Sequence, residues 1–197
     1  MKILSMAFLA TFAFANFANA TITPVLDAGN PTVAGPDFLY TYNIDLAASE
    51  QLNGALGAPG GTFFTIYDFA GYVPGTVAAT ASDWTATVAL VGPTPSLTSP
   101  PDNPNLYNLV FTYTGPVETG PLTLDGFSAE STSGTLNKNG FFSYQAQKTA
   151  NTSAPDQGLG PINIPNAVQT TPEPASLALM GGGLVAFAAL GRRKFAH

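Results

Sequence analysis

The chain has no cysteine, and its one histidine, His197, is the last residue. Without cysteine no disulfide staples the fold; an oxidising compartment is tolerated, and stability rests on an apolar core. With a single terminal histidine and no cysteine, Ser-His-Asp and Cys-His hydrolases are excluded, as are histidine-based zinc sites. Charge is scarce as well, at 9% of residues against about 25% in ordinary globular proteins. Bases are the scarcest: between residues 21 and 170 only Lys138 and Lys148 occur, beside eleven of the twelve acids. That stretch therefore carries a net charge near −9, more negative than the −6 of the whole chain. Such a domain does not bind nucleic acid or anionic lipid through a basic patch.

The two ends differ from the middle. Lys2 supplies a positive start, residues 3–14 an apolar run, and Ala18-Asn19-Ala20 a small-residue cleavage site. That order is a secretory signal peptide, cut by signal peptidase after Ala20 to leave Thr21 first. At the other end Pro172-Glu173-Pro174 precedes an uncharged run, 175–190, interrupted by Gly181-Gly182-Gly183 and followed by Arg192-Arg193-Lys194. As a helix that run spans about 24 Å at ~1.5 Å per residue, short of a hydrocarbon core of about 30 Å. Each glycine costs a further ~1 kcal/mol relative to alanine. It reads as a marginal, transient inner-membrane span with its basic end on the cytoplasmic side; a plain, unprocessed anchor is the alternative.

Between the ends, period-2 alternation dominates and no window of helical length shows a 3.6-residue period. In 37–46, Phe38, Tyr40, Tyr42, Ile44 and Leu46 share a face. In 83–90, Trp84, Ala86, Val88 and Leu90 do so; in 106–114, Tyr107, Leu109, Phe111 and Tyr113. Residues 62–69 are apolar on both faces, as in a central strand. Further strands are expected at 22–26, 121–123, 126–132 and 141–148. Gly- and Pro-rich turns separate them, and Asn139-Gly140 suits a tight hairpin. The pattern predicts an all-β fold, an antiparallel, jelly-roll-like β-sandwich over 21–150. Signal peptide 1–20 precedes it. Behind it come a Pro/Gly/Asn-rich linker, 151–170, and a tail, 171–197, with a single hydrophobic helix.

Chemistry in the middle is sparse. Asp68, Asp83, Glu118 and Glu130 are candidates for the paired carboxylates of a glycosidase, although any domain with eleven acids offers some pair. Asp102-Asn103-Pro104-Asn105 has oxygen ligands at short spacing for calcium, without the rhythm of an EF-hand; a proline turn is the simpler reading. Gly57 to Gly61 lacks the Lys-Ser/Thr of a phosphate loop. No catalytic, cofactor or metal residue is assigned. The aromatics Trp84, Tyr67, Tyr72 and Tyr107 suit either a core or a platform for sugar rings, with Tyr72 at the 71–74 turn the better exposed candidate.

The C-terminal order of Pro172, Glu173 and Pro174, then the apolar span, then Arg192, Arg193 and Lys194, resembles the PEP-CTERM sorting domain of exported bacterial proteins. Segments 63–75 and 127–132 are similar to stretches of other exported proteins with that tail. The resemblance implies processing by exosortase and delivery to the cell envelope or extracellular matrix of a Gram-negative bacterium, typically one that makes exopolysaccharide. The expected protein is a non-enzymatic envelope or matrix component. A secreted carbohydrate-binding or carbohydrate-active module is the alternative.

Overall fold

The structure, a computed structural model, describes residues 22–55, 61–153 and 155–167. Those residues form twelve strands and no α-helix. In chain order they are β1 (Ile22–Leu26), β2 (Thr32–Ala34), β3 (Asp37–Leu46) and β4 (Glu50–Leu52). Next come β5 (Phe63–Phe69), β6 (Ala78–Ala79), β7 (Trp84–Ala89) and β8 (Tyr107–Tyr113). The last four are β9 (Glu118–Thr119), β10 (Leu122–Ser131), β11 (Leu136–Lys148) and β12 (Pro155–Pro165). The signal peptide, the Gly57–Gly60 stretch, Pro172-Glu173-Pro174, the hydrophobic span and Arg192-Arg193-Lys194 lie outside the described residues.

Two antiparallel sheets result. One runs β1-β3-β10-β6, with β2 on the same edge of β3 as β1. The other runs β7-β8-β5-β11, with β12 along the far edge of β11 and β4 and β9 beyond the end of β5. Alternation in the sequence becomes burial. On β3, Tyr40, Tyr42, Ile44 and Leu46 are buried, and they meet Phe64, Ile66, Leu109 and Phe111 of the second sheet in one core. Phe127 of the first sheet joins the sheets directly, its ring 5.2 Å from Phe64 and 5.1 Å from Trp84.

The second sheet is covered on both faces, which explains the unbroken apolar run of β5. Its outward residues, Phe63, Thr65 and Tyr67, are buried, and the long connection from β7 to β8 folds back over Thr65 and Tyr67. Thr65 Oγ1 donates to the Pro93 carbonyl at 2.9 Å, and the Tyr67 hydroxyl bonds Thr94 at 2.9 Å and Ser143 at 2.8 Å. The outward side of β11 continues this polar layer. There Gln147 accepts from both Gln51 and Asn53, and Gln145 donates to the Gly61 carbonyl.

Four expectations change. The strands expected at 121–123 and 126–132 are one strand, Leu122–Ser131, because a bulge at Gly126, with φ +89°, carries the chain through. A Cβ at Gly126 would strike Thr80 Oγ1, so glycine supplies both the backbone angle and the room. Asn139-Gly140 is not a hairpin turn. It sits inside β11, where a one-residue register shift against β12 falls between Asn137 and Gly140, and Asn139 N–H bonds Asn137 Oδ1 at 2.9 Å. Leu90, assigned to the core face, is 45% exposed, since β7 ends at Ala89 and the chain turns outward. Most consequentially, 151–170 is not a linker throughout: β12 pairs with β11 at ten positions, from Pro155 opposite Gln147 to Pro165 opposite Leu136. Ile162 and Ile164 enter the core, so among the described residues the core runs from Ile22 to Ile164.

Candidate functional site

The β5 strand carries a bulge opposite β8, between Ile66 and Phe69, and Asp68 takes up the extra residue at φ +58°. Its N–H is held by Asn108 Oδ1 at 2.9 Å, and its carboxylate accepts the Asn103 N–H at 2.8 Å. Asn108, fully buried, turns its amide nitrogen to Asp102 Oδ1 at 3.0 Å. Asn103 Oδ1 in turn accepts the Asn105 N–H at 3.1 Å. The structure thus joins Asp68, one of the candidate carboxylates, to the 102–105 loop considered for calcium. Burial pushes the Asp68 carboxyl up, the Asn103 N–H draws it down, and the charge on Asp102 raises it again. The loop is held by its bonds to Asp68 and Asn108 and by the Asn105 N–H within it. Among the described residues no three acidic or histidine side chains converge.

The same end of the molecule displays aromatic rings. Tyr107, opposite Phe69 at the start of β8, is 41% exposed. Its ring meets that of Tyr72 edge-on, at 5.4 Å and 61°. Tyr72 reaches Phe69 at 6.5 Å, and Phe69 reaches Tyr40 at 5.5 Å. A chain of rings therefore runs from the core to the surface, ending in an exposed tyrosine beside a loop of amides and carboxylates. The Tyr72 hydroxyl is engaged by the Gly75 N–H at 3.2 Å, which fixes the inner ring of the pair.

The other aromatic candidates are not at this site. Trp84 is buried, packed against Phe127, Tyr113 at 5.3 Å and Phe64 at 5.7 Å. Tyr67 is buried beneath the 90–106 connection. Of the remaining acids, Asp83 and Glu118 both lie near the Tyr113 hydroxyl, which burial first and these two charges second raise above its ordinary value. That hydroxyl donates to the Pro116 carbonyl at 2.8 Å. Glu130 stands apart on β10, its N–H bonded to Thr76 Oγ1.

Sequence reading missed Glu50. It opens β4, a strand of three residues too short to show periodicity, and faces inward with Leu52. It is fully buried, and neither carboxylate oxygen has a hydrogen-bond partner among the described residues.

Comparison with known proteins identifies the tail. Residues 170–194 match the family model of the PEP-CTERM protein-sorting motif. The chain therefore carries the signal that exosortase processes, which implies export across the inner membrane toward the cell envelope or surface. No curated protein and no solved structure matches the chain.

Proposed function

We propose that this exosortase substrate is a structural protein of the envelope or extracellular matrix of a Gram-negative bacterium, associated with exopolysaccharide. Its mature unit is a β-sandwich, exported by the general secretory route after cleavage at Ala20. The sorting motif carries this reading. Pro172-Glu173-Pro174, a weak span and a basic stop stand in order inside the matched 170–194 segment. With no cysteine and one terminal histidine, the domain has no nucleophile–base pair of the usual kinds, which supports a non-enzymatic role.

A second reading rests on Tyr107 and Tyr72. An exposed ring beside oxygen acceptors and amide donors suits stacking on a sugar, with hydrogen bonds to its hydroxyls, so the domain can also serve as a carbohydrate-binding module.

The sorting reading is tested by intact-mass analysis in a host that has exosortase. The mature protein lacks residues 192–197, and deleting the exosortase gene leaves the unprocessed form in the inner membrane. Finding the complete tail on most mature molecules would overturn it in favour of a plain anchor.

A further inference from the structure

A buried carboxylate without hydrogen bonds is costly, and Glu50 is in that position. Three neighbouring strands, β4, β11 and β12, set the groups around it. Glu50 is the direct cross-strand partner of Lys148, and residues so opposed have Cβ atoms about 4.5–5.5 Å apart on one face of the sheet. Asp156 of β12 stands opposite Ala146. Ala146 is two residues before Lys148, so by the alternation of a strand Asp156 shares that face, diagonally across from the lysine. Lys148 Nζ lies 3.2 Å from Asp156 Oδ1, and the Tyr144 hydroxyl donates to Asp156 Oδ2 at 3.2 Å. The aspartate is largely enclosed, with 15% of its side chain exposed, and the lysine reaches it from the rim.

An amine, a carboxyl group held against it and a second carboxyl group with both oxygens uncommitted are the parts of an amide-forming reaction. Burial first and Asp156 second push Glu50 up to about 7, against the opposing pull of Lys148. Near neutral pH it therefore holds a proton about as often as not, as a group that passes protons must.

We propose that Lys148 and Asp156 condense to an intramolecular amide, with Glu50 as the proton relay, so that β12 is joined covalently to β11. Within the ion pair Nζ passes one proton to Oδ1, which leaves a neutral amine beside a carboxylic acid. The amine lone pair attacks Asp156 Cγ and the C–N bond forms, while the Tyr144 hydroxyl stabilises the charge that gathers on Oδ2. Protonated Glu50 gives its proton to the Oδ1 hydroxyl and takes one from Nζ. The Cγ–Oδ1 bond then breaks and water leaves. One ammonium and one carboxylate become one amide and one water; nothing is oxidised or reduced, and Glu50 is returned protonated. Free in water the two groups do not condense, but reactants held in line within one molecule reach effective molarities of about 10⁵–10⁸ M. The reaction runs once, on the chain itself. A protein without cysteine thereby gains a covalent tie, and it falls on the edge strand β12.

The test is a tryptic digest of the full chain, made in a host without exosortase. Trypsin cuts after a free Lys148 and releases the peptide 139–148. In the folded protein that peptide is expected to be missing. A fragment running through Lys148 replaces it, lighter than its sequence by one water, and fragmentation places the loss between residues 148 and 156. Release of 139–148 from most folded molecules overturns the proposal, and this readout needs no variant. Lys148→Arg keeps the ion pair but cannot form the amide, so trypsin cuts at 148 and the full mass returns. A water loss that persists in Lys148→Arg is a cyclised aspartate and also overturns it. For the relay, chain recovered unlinked in denaturant is refolded at pH 7 and the linked form is followed with time. Glu50→Gln, its fold checked by circular dichroism, is expected to slow linkage by about a hundredfold or more. Linkage as fast in Glu50→Gln as with Glu50 overturns the role of the glutamate.

Discussion

The ring of Tyr144 on β11 lies across Gly158 on β12, where a β-carbon on the glycine would come 2.6 Å from the tyrosine hydroxyl oxygen. Phe142 covers Gly160 in the same way, with its Cε1 2.6 Å from where that β-carbon would be. An aromatic from one strand thus closes the space that a glycine leaves on the next. Gly158→Ala is expected to displace Tyr144, break its bond to Asp156 and destabilise by about 1–3 kcal/mol. Chemical denaturation measures this. Ending the chain at residue 150, which strips β12 from β11, is expected to abolish cooperative unfolding, whereas 21–167 retains it.

Trp84 is expected to behave as a core residue. Its ring touches Phe64, Tyr113 and Phe127, so Trp84→Ala costs roughly 3–5 kcal/mol. Its buried Nε1 has no hydrogen-bond partner among the described residues. Trp84→Phe therefore loses volume without losing a bond, and a cost below about 1.5 kcal/mol is expected. Denaturation midpoints of the two variants, with m-values unchanged, check this.

Glu50 gives the domain a particular pH dependence. Its folded pKa is raised from 4.5 to about 7, so the folded state holds the proton more tightly than the unfolded state. The resulting stability is fully present below pH 4.5, is lost as pH rises through about 7, and is absent above that. The total is on the order of 3 kcal/mol. In the segment 21–167, Glu50→Gln is expected to flatten this part of the stability profile, which denaturation at several pH values between 4 and 8 measures.

Tyr107 separates the two functional readings. Partly exposed at the end of the ring chain, it is expected to tolerate Tyr107→Ala with a loss of about 1 kcal/mol or less. If the domain binds saccharide here, the same substitution removes binding on a glycan array or by calorimetry. Saccharide binding that is unchanged in Tyr107→Ala places the ligand elsewhere.

Wherever burial follows local alternation, the strands were legible from the sequence. The pattern of 37–46 is β3 to the residue, 22–26 is β1, and β5, β7 and β8 lie within one residue of expectation at each end. The sorting tail was legible too, because an address is read as a linear order and needs no fold. Tertiary structure decided the rest. β12 is built on Gly158, Gly160 and three prolines, and its inward face is filled by Tyr144 and Phe142 from β11, so its own residues carry little hydrophobic signal. Asn139-Gly140 has the composition of a turn, yet cross-strand pairing holds it inside β11 as a bulge. Asp68 met the 102–105 loop only because β5 and β8 are neighbours in the sheet, and Glu50 became unusual only when Asp156 had taken up the lysine beside it. Such features depend on pairs of residues far apart in the chain, and a chain's local pattern records what each segment buries, not which segment buries it.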